Sequence, residues 1–147
     1  MADPYRVLTT GSRSVRDADP VTNELHRIAL SVGWKRLVVV HGDCPDGGDR
    51  LVKLWCDRMG VATDPRPADW ERYGKPAGGI RDREMVQLGA ETCVAQIERC
   101  IKPGCEIRKR HGSHGATTTA ELAEQAGIPT WRWTNLTLPD FRTEELF

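Results

Sequence analysis

The chain has 147 residues, enough for one domain with its own core and too few for two. Its 21 lysines and arginines balance 21 aspartates and glutamates, which excludes a general nucleic-acid binder held by a basic field. Hydrophobic content of 39% with 29% charged residues describes a globular protein without a membrane-spanning run or a signal-peptide pattern, and five scattered cysteines fit a reducing cytoplasm better than a disulfide framework.

Residues 5–10 form a first strand that runs straight into Gly11-Ser12-Arg13. A helix follows, capped by Asp19 with Pro20 at its first position. Val21, Leu25, Ile28, Ala29 and Val32 make its buried stripe, and Gly33 stops it. Leu37 to Val40 is a second, fully buried strand. It opens into the stretch around which the chain is organised, His41-Gly42-Asp43-Cys44-Pro45-Asp46-Gly47-Gly48-Asp49-Arg50, and Leu51, Val52, Trp55, Cys56 and Met59 then recur at helical spacing as far as Gly60. Strand, glycine-rich loop and helix in this order let the backbone approach a ligand and aim helix N–H groups at an anion. Gly48 and Asp49 stand where a phosphate-binding loop carries lysine and a hydroxyl residue, which excludes a nucleoside triphosphatase. A G-x-G-x-x-G fingerprint is also missing.

Val61 to Thr63 is a short third strand. Residues 66–79 are too rich in Pro and Gly for a regular element and too aromatic and charged for a linker, so they read as a functional loop. A helix over 80–88 puts Arg81 and Met85 on one face, one turn apart. Thr92 to Ile97 is a fourth strand, residues 98–112 an irregular basic stretch, Thr117 to Ala126 a helix, and Thr130 to Trp133 a fifth strand. The domain so defined covers residues 1–138, with a C-terminal tail over 139–147. Alternating strands and helices imply parallel pairing through right-handed crossovers. The fold class is therefore α/β, a three-layer Rossmann-like sandwich with a mostly parallel sheet of about five strands. Ligands in such folds sit at the carboxyl ends of the strands, where Gly11-Ser12-Arg13, His41–Arg50 and Gly112–Thr118 converge.

With these loops in view, the chain resembles the YspA-like (cpYpsA-related) branch of the SLOG superfamily, whose wider membership includes the DprA/Smf and Lonely-guy proteins. The resemblance rests on Gly11-Ser12-Arg13, on His41-Gly42 with Gly47-Gly48-Asp49, on Pro67-Ala68-Asp69-Trp70, and on Gly74-Lys75-Pro76-Ala77-Gly78. It continues through Arg81-Asp82-Arg83-Glu84-Met85 to Gly112-Ser113-His114-Gly115, and so spans about residues 5–134. It implies a fold that binds a nucleotide-derived ligand, for sensing or processing, in a bacterial or phage protein. Arg13, Arg81 and Arg83 are then candidates for phosphate oxygens. Trp70 or Tyr73 is a candidate for stacking on a base, and Asp43 or Asp49 for a ribose hydroxyl. Gly11, Ser12, His41, Gly42, Gly47, Gly48, Ser113, Gly115 and Thr117 complete the expected ligand-binding set.

The chain departs from Lonely-guy enzymes, which cleave the base–ribose bond with a P-G-G-x-G-T-x-x-E loop. Thr119 stands in place of that glutamate and Glu121 falls two residues late, which weakens the hydrolase reading and leaves Asp49 or Glu84 as substitutes. The stretch from Glu98 to His111 is longer than the family's turn. It is rich in Arg99, Lys102, Arg108, Lys109 and Arg110, and holds Cys100, Cys105, His111 and His114 in order. Their C-x4-C-x5-H-x2-H spacing is tighter than that of common zinc sites, so the expectation is a solvated basic flap with no metal and no assigned cofactor, zinc being the alternative. Cys44 beside His41 reads as a packed thiol rather than a nucleophile. The expected function is binding or sensing of a nucleoside phosphate or ADP-ribose-like molecule. A nucleotide N-glycosidase and a single-stranded nucleic-acid-binding accessory protein are the alternatives, and a homo-oligomer stays open. A membrane is excluded as a partner.

Overall fold

The computed structural model describes residues 3–107 and 109–136; Arg108, the domain boundary expected at 138 and the tail over 139–147 lie outside them. The elements run β1 (Tyr5–Gly11), α1 (Asp19–Val32), β2 (Leu37–His41), α2 (Gly47–Met59), β3 (Ala62–Pro65), α3 (Trp70–Tyr73), α4 (Ala77–Leu88), β4 (Thr92–Ile97), α5 (His114–Gln125) and β5 (Thr130–Thr134). The strands form one sheet in the order β3-β2-β1-β4-β5, and every pairing is parallel. This is the three-layer α/β architecture expected from the alternation of elements.

Neighbouring residues of each central strand supply opposite faces, as a pleated strand requires. Val7, Val39 and Val94 pack with Val21, Leu25, Ile28 and Ala29 of α1 and with Val52 and Cys56 of α2. Leu8, Val40 and Cys93 pack on the other side with Met85 and Val86 of α4 and Ala123 of α5. Burial on both faces is why these strands read as continuous apolar runs. No helix among the described residues is long and apolar enough to cross a membrane.

The differences from expectation are local. The carboxylate that meets the start of α1 belongs to Asp17, which accepts the Asp19 N–H at 2.9 Å, while Asp19 is already helical. β3 extends to Pro65, tolerated because β3 is an edge strand. Within the stretch expected to be loop, Asp69 accepts the Arg72 N–H at 3.1 Å and starts the single turn of α3. Both α4 and α5 begin three residues earlier than expected, taking Gly78 and Gly79, and Gly115, into their first turns. A first turn tolerates glycine because its N–H groups have no intrahelical partner to lose.

Candidate functional site

The chain builds β2 and β3 outward from one side of β1, then returns to place β4 on the other. The loops leaving β1 and β4 therefore diverge, and the crevice between them is the switch point where α/β sheets hold ligands. Ser12 spans it. Its N–H donates to the Gln96 carbonyl at 3.1 Å, its Oγ accepts the Glu98 N–H at 3.0 Å, and its hydroxyl shares a hydrogen bond with that of Ser113. Ser113 in turn donates its N–H to the Glu98 carbonyl at 2.9 Å. Ser12 is 3% exposed, so this corner forms the floor of the crevice.

The glycine-rich loop after β2 packs directly on the loop after β1. A Cβ on Gly11 would stand 3.1 Å from the Gly48 Cα, and one on Gly48 would stand 3.0 Å from the Gly11 Cα. At Gly47, φ is +68°, and a Cβ would meet the Arg13 Cα at 2.6 Å and the Ser12 carbonyl at 2.7 Å. The Gly48 N–H donates to the Ser12 carbonyl at 3.3 Å, so one of the N–H groups at the start of α2 already has a protein partner. Three of the expected ligand-binding glycines thus serve backbone-to-backbone contact between two loops.

Beneath this loop lie buried polar groups. His41, fully buried at the end of β2, accepts the Asp43 N–H on Nδ1 at 3.0 Å. Burial pushes its pKa down against the opposing charges of Asp49 and Asp43, so the ring is held neutral. Asp43 takes a left-handed conformation, φ 54°, to make that turn. Asp49, 8% exposed, accepts the Cys44 N–H on Oδ2 at 3.2 Å. Burial raises the Cys44 pKa, the Asp49 charge adds to the effect, and Arg81 opposes it, so Cys44 is a thiol and not an activated nucleophile.

Arg81 is 9% exposed and turned inward. It donates to the Gly42 carbonyl at 2.5 Å, to Asp82 at 2.7 Å and, more weakly, to the Arg66 carbonyl at 3.4 Å. A Cβ on Gly42 would stand 2.5 Å from the Arg81 Nη1 and 2.9 Å from the Asp49 Oδ2, so a side chain there would have to displace these two groups. Arg81 thus clamps the β2–α2 loop from below. Arg13 and Arg83 are exposed, as is Trp70 at 50%, whose ring lies over Gly78. Tyr73 carries the Arg72 guanidinium 5.0 Å from its ring centroid. A groove of about 570 Å³ runs between Pro65–Pro67 and the Arg81, Glu84, Gln87 and Leu88 side of α4.

At the far wall, Gly112 passes so close to Ile97 and Thr117 that a Cβ would stand 2.4 and 2.7 Å from them. Gly115, in the first turn of α5, has open space where a side chain would be. Thr119 is buried, its hydroxyl donating to the Gly115 carbonyl at 2.9 Å, and Glu121 is exposed. Three buried polar atoms of this edge lack a hydrogen-bond partner among the described residues: His41 Nε2, Gln96 Oε1 and Thr117 Oγ1. Such groups are costly to bury unpaired.

The residue types alone did not single out Gln96, Glu98, Ser14 or Asp82. Gln96 donates to the Asp17 carbonyl at 2.8 Å and Ser14 donates to the Glu98 carboxylate at 3.0 Å, both at the crevice. The signal for Gln96 is a polar residue inside the apolar run from Cys93 to Ile97.

The model of the YspA, cpYpsA-related SLOG family matches residues 5–73, the segment with the first two loops. The gene 61 protein of Mycobacterium phage D29 is 35% identical over 133 residues, covering 84% of this chain and 92% of that protein. No solved structure matches the chain.

Proposed function

Because this chain belongs to the YspA, cpYpsA-related SLOG family, we propose that it binds a small nucleotide-derived ligand, a nucleoside phosphate or an ADP-ribose-like molecule, in the crevice between the β1 and β4 loops. The observation that carries this reading is the Ser12–Ser113 floor at the switch in strand order, with the first turn of α5 opening onto it. In this reading the phosphate lies at that first turn, where Gly115 leaves the backbone uncovered and the helix dipole favours negative charge. Arg13, exposed at the lip, supplies a planar two-pronged donor. Thr117 Oγ1 and Gln96 Oε1 are the protein groups in want of partners. Trp70 is the exposed aromatic surface available to a base. The inward-facing Arg81 holds the loop rather than the ligand.

One observation favours a second reading, hydrolysis of the ligand's N-glycosidic bond. Asp49 is buried and engaged, and Glu84 faces the groove beside Pro65–Pro67, but Glu98 brings a half-buried carboxylate to the crevice itself. A thermal-shift panel of nucleoside mono-, di- and triphosphates, ADP-ribose and cyclic nucleotides tests both readings. A ligand at a hundred times its dissociation constant stabilises by about 2.7 kcal/mol. Intact ligand recovered by chromatography supports binding; released base, abolished by Glu98→Gln, supports hydrolysis. No stabilisation by any member of the panel contradicts both.

A further inference from the structure

None of the described residues in the connection from β4 to α5 belongs to the apolar core. Its described residues between Glu98 and Ser113 form no helix or strand, and the apolar side chains Ile101 and Ile107 are exposed, at 68% and 55%. Unsupported loops of this length are uncommon in a small domain. What the segment does hold is an antiparallel bridge between Arg99 and Gly112, with the Cys100 N–H donating to the His111 carbonyl at 2.8 Å. A tight turn follows, in which the Cys105 N–H donates to the Lys102 carbonyl at 3.2 Å and Gly104 takes φ +77°. The bridge sets Cys100 opposite His111, the turn brings Cys105 back beside them, and His114 enters as the first residue of α5.

These four side chains converge on one point. Cys105 Sγ lies 3.5 Å from His111 Nε2 and 3.6 Å from His114 Nε2, Cys100 Sγ lies 3.7 Å from His114 Nε2, and the two Nε2 atoms are 3.2 Å apart. All four ligand atoms fall within 4.8 Å of one another. A tetrahedral zinc ion with sulfur at about 2.3 Å and nitrogen at about 2.0 Å gives sulfur–nitrogen edges of about 3.5 Å and nitrogen–nitrogen edges of about 3.3 Å. Four of the six edges, 3.2 to 3.7 Å, match those of that tetrahedron, and the other two lie within 4.8 Å. His111 Nδ1 lies 2.7 Å from the Lys109 carbonyl, an acceptor that keeps the ring proton on Nδ1 and leaves the Nε2 lone pair for a metal. Hydrogen bonding alone does not account for the cluster: one imidazole proton on His114 cannot serve two sulfurs and a second ring nitrogen at once, whereas a central cation serves all four.

We propose that Cys100, Cys105, His111 and His114 hold a zinc ion in a closed Cys2His2 site that fastens the β4–α5 connection to the first turn of α5. Two thiolates and two imidazoles suit zinc over the hard, oxygen-seeking cations. Four protein ligands leave no open position, so the site is structural rather than catalytic. Binding deprotonates both thiols and releases their protons, and the two thiolate charges balance the dication. His114 neighbours Ser113 and Gly115, so the metal would also fix the far wall of the crevice. The spacing that looks too tight for zinc in the sequence is met because the strand-like bridge and the Lys102–Cys105 turn fold the connection back on itself.

The test is metal analysis of the full-length protein purified without chelator, together with cobalt substitution of the same protein. The expected result is about one equivalent of zinc per chain. The cobalt form should show the intense visible bands of a tetrahedral ion and a thiolate-to-cobalt charge-transfer band. Removal of zinc should make Cys100 and Cys105 reactive toward a thiol reagent and the Lys102–Arg110 stretch open to trypsin. Cys105→Ser and His111→Ala should each lower zinc affinity at least a hundredfold. A folded wild-type protein that takes up neither zinc nor cobalt would falsify the site, and that result does not depend on whether any variant folds. Zinc bound with unchanged affinity by both variants would assign it to other residues.

Discussion

Ser12 and Ser113 stand 101 residues apart in the chain, yet their hydroxyls share a hydrogen bond across the gap between β1 and β4. The contact ties the first loop of the domain to its last helix at the place where strand order reverses. Ser12 Oγ also accepts the Glu98 N–H, so Ser12→Ala leaves a buried donor unpaired and should cost about 1–3 kcal/mol. Ser113→Ala removes a single side-chain bond and should cost about 1 kcal/mol. Denaturant unfolding of the two variants checks the order: equal, negligible losses would mean that the corner is not a structural joint.

Arg81 and Arg83 lie two residues apart on α4 but should behave oppositely. Arg81→Ala strips a buried guanidinium from the Gly42 carbonyl and from Asp82, and should destabilise by roughly 3 kcal/mol. Arg83→Ala and Arg13→Ala alter exposed groups and should stay within about 0.5 kcal/mol of the parent. Arg13→Ala should nonetheless weaken binding of an anionic ligand, and titration calorimetry on a variant of unchanged melting temperature separates the two effects.

The glycines divide in the same way. Gly47→Ala sets a Cβ against backbone atoms at 2.6 and 2.7 Å and forces a residue with a side chain to φ +68°, so a loss on the order of 2 kcal/mol is expected. Gly115→Ala meets nothing within 4 Å in a helical first turn, and stability should hold or rise by a few tenths of a kcal/mol. If Gly115→Ala folds normally and still binds ligand as tightly as the parent, the phosphate does not lie at the start of α5.

His41 gives a pH signature. Burial holds its folded-state pKa below the ordinary value of 6.5, while the unfolded chain titrates near that value. The unfolded state therefore binds the extra proton first, and stability falls as pH drops below about 6.5, down to the folded-state pKa. Asp49, Asp43 and Asp64 raise this pKa and Lys53 lowers it, so the window is set by burial against that carboxylate cluster. His41→Asn, which can still accept the Asp43 N–H, should flatten the stability profile across this window. An unchanged profile would assign the pH dependence to other groups.

Much of the architecture was legible in the sequence because Val7–Leu8, Val39–Val40 and Cys93–Ala95 are short apolar runs buried on both faces of the sheet. The ends of elements were less so: Gly78, Gly79 and Gly115 look like breakers but occupy first turns, where glycine costs little. The loops that form the candidate site were visible as glycine clusters. Which glycines face backbone and which face open space depends on how two distant loops meet, and spacing does not encode that. Arg81 is the instructive residue. Its type suggested phosphate, whereas its position, one turn before the buried Met85, already placed it on the inward face of α4. The Cys100–His114 quartet shows the reverse case, a spacing that looked poor until the Arg99–Gly112 bridge brought its halves together.

The central claim is that a nucleotide-derived ligand occupies the crevice between the β1 and β4 loops. Backbone amide NMR during titration with ADP and ADP-ribose tests it most directly. The account predicts saturable shifts clustered at residues 11–14, 41–49, 96–98 and 112–117 and at Trp70, with little change along the Pro65–Pro67 and Gln87–Leu88 groove. Shifts confined to that groove, or none with either ligand at millimolar concentration, would contradict it.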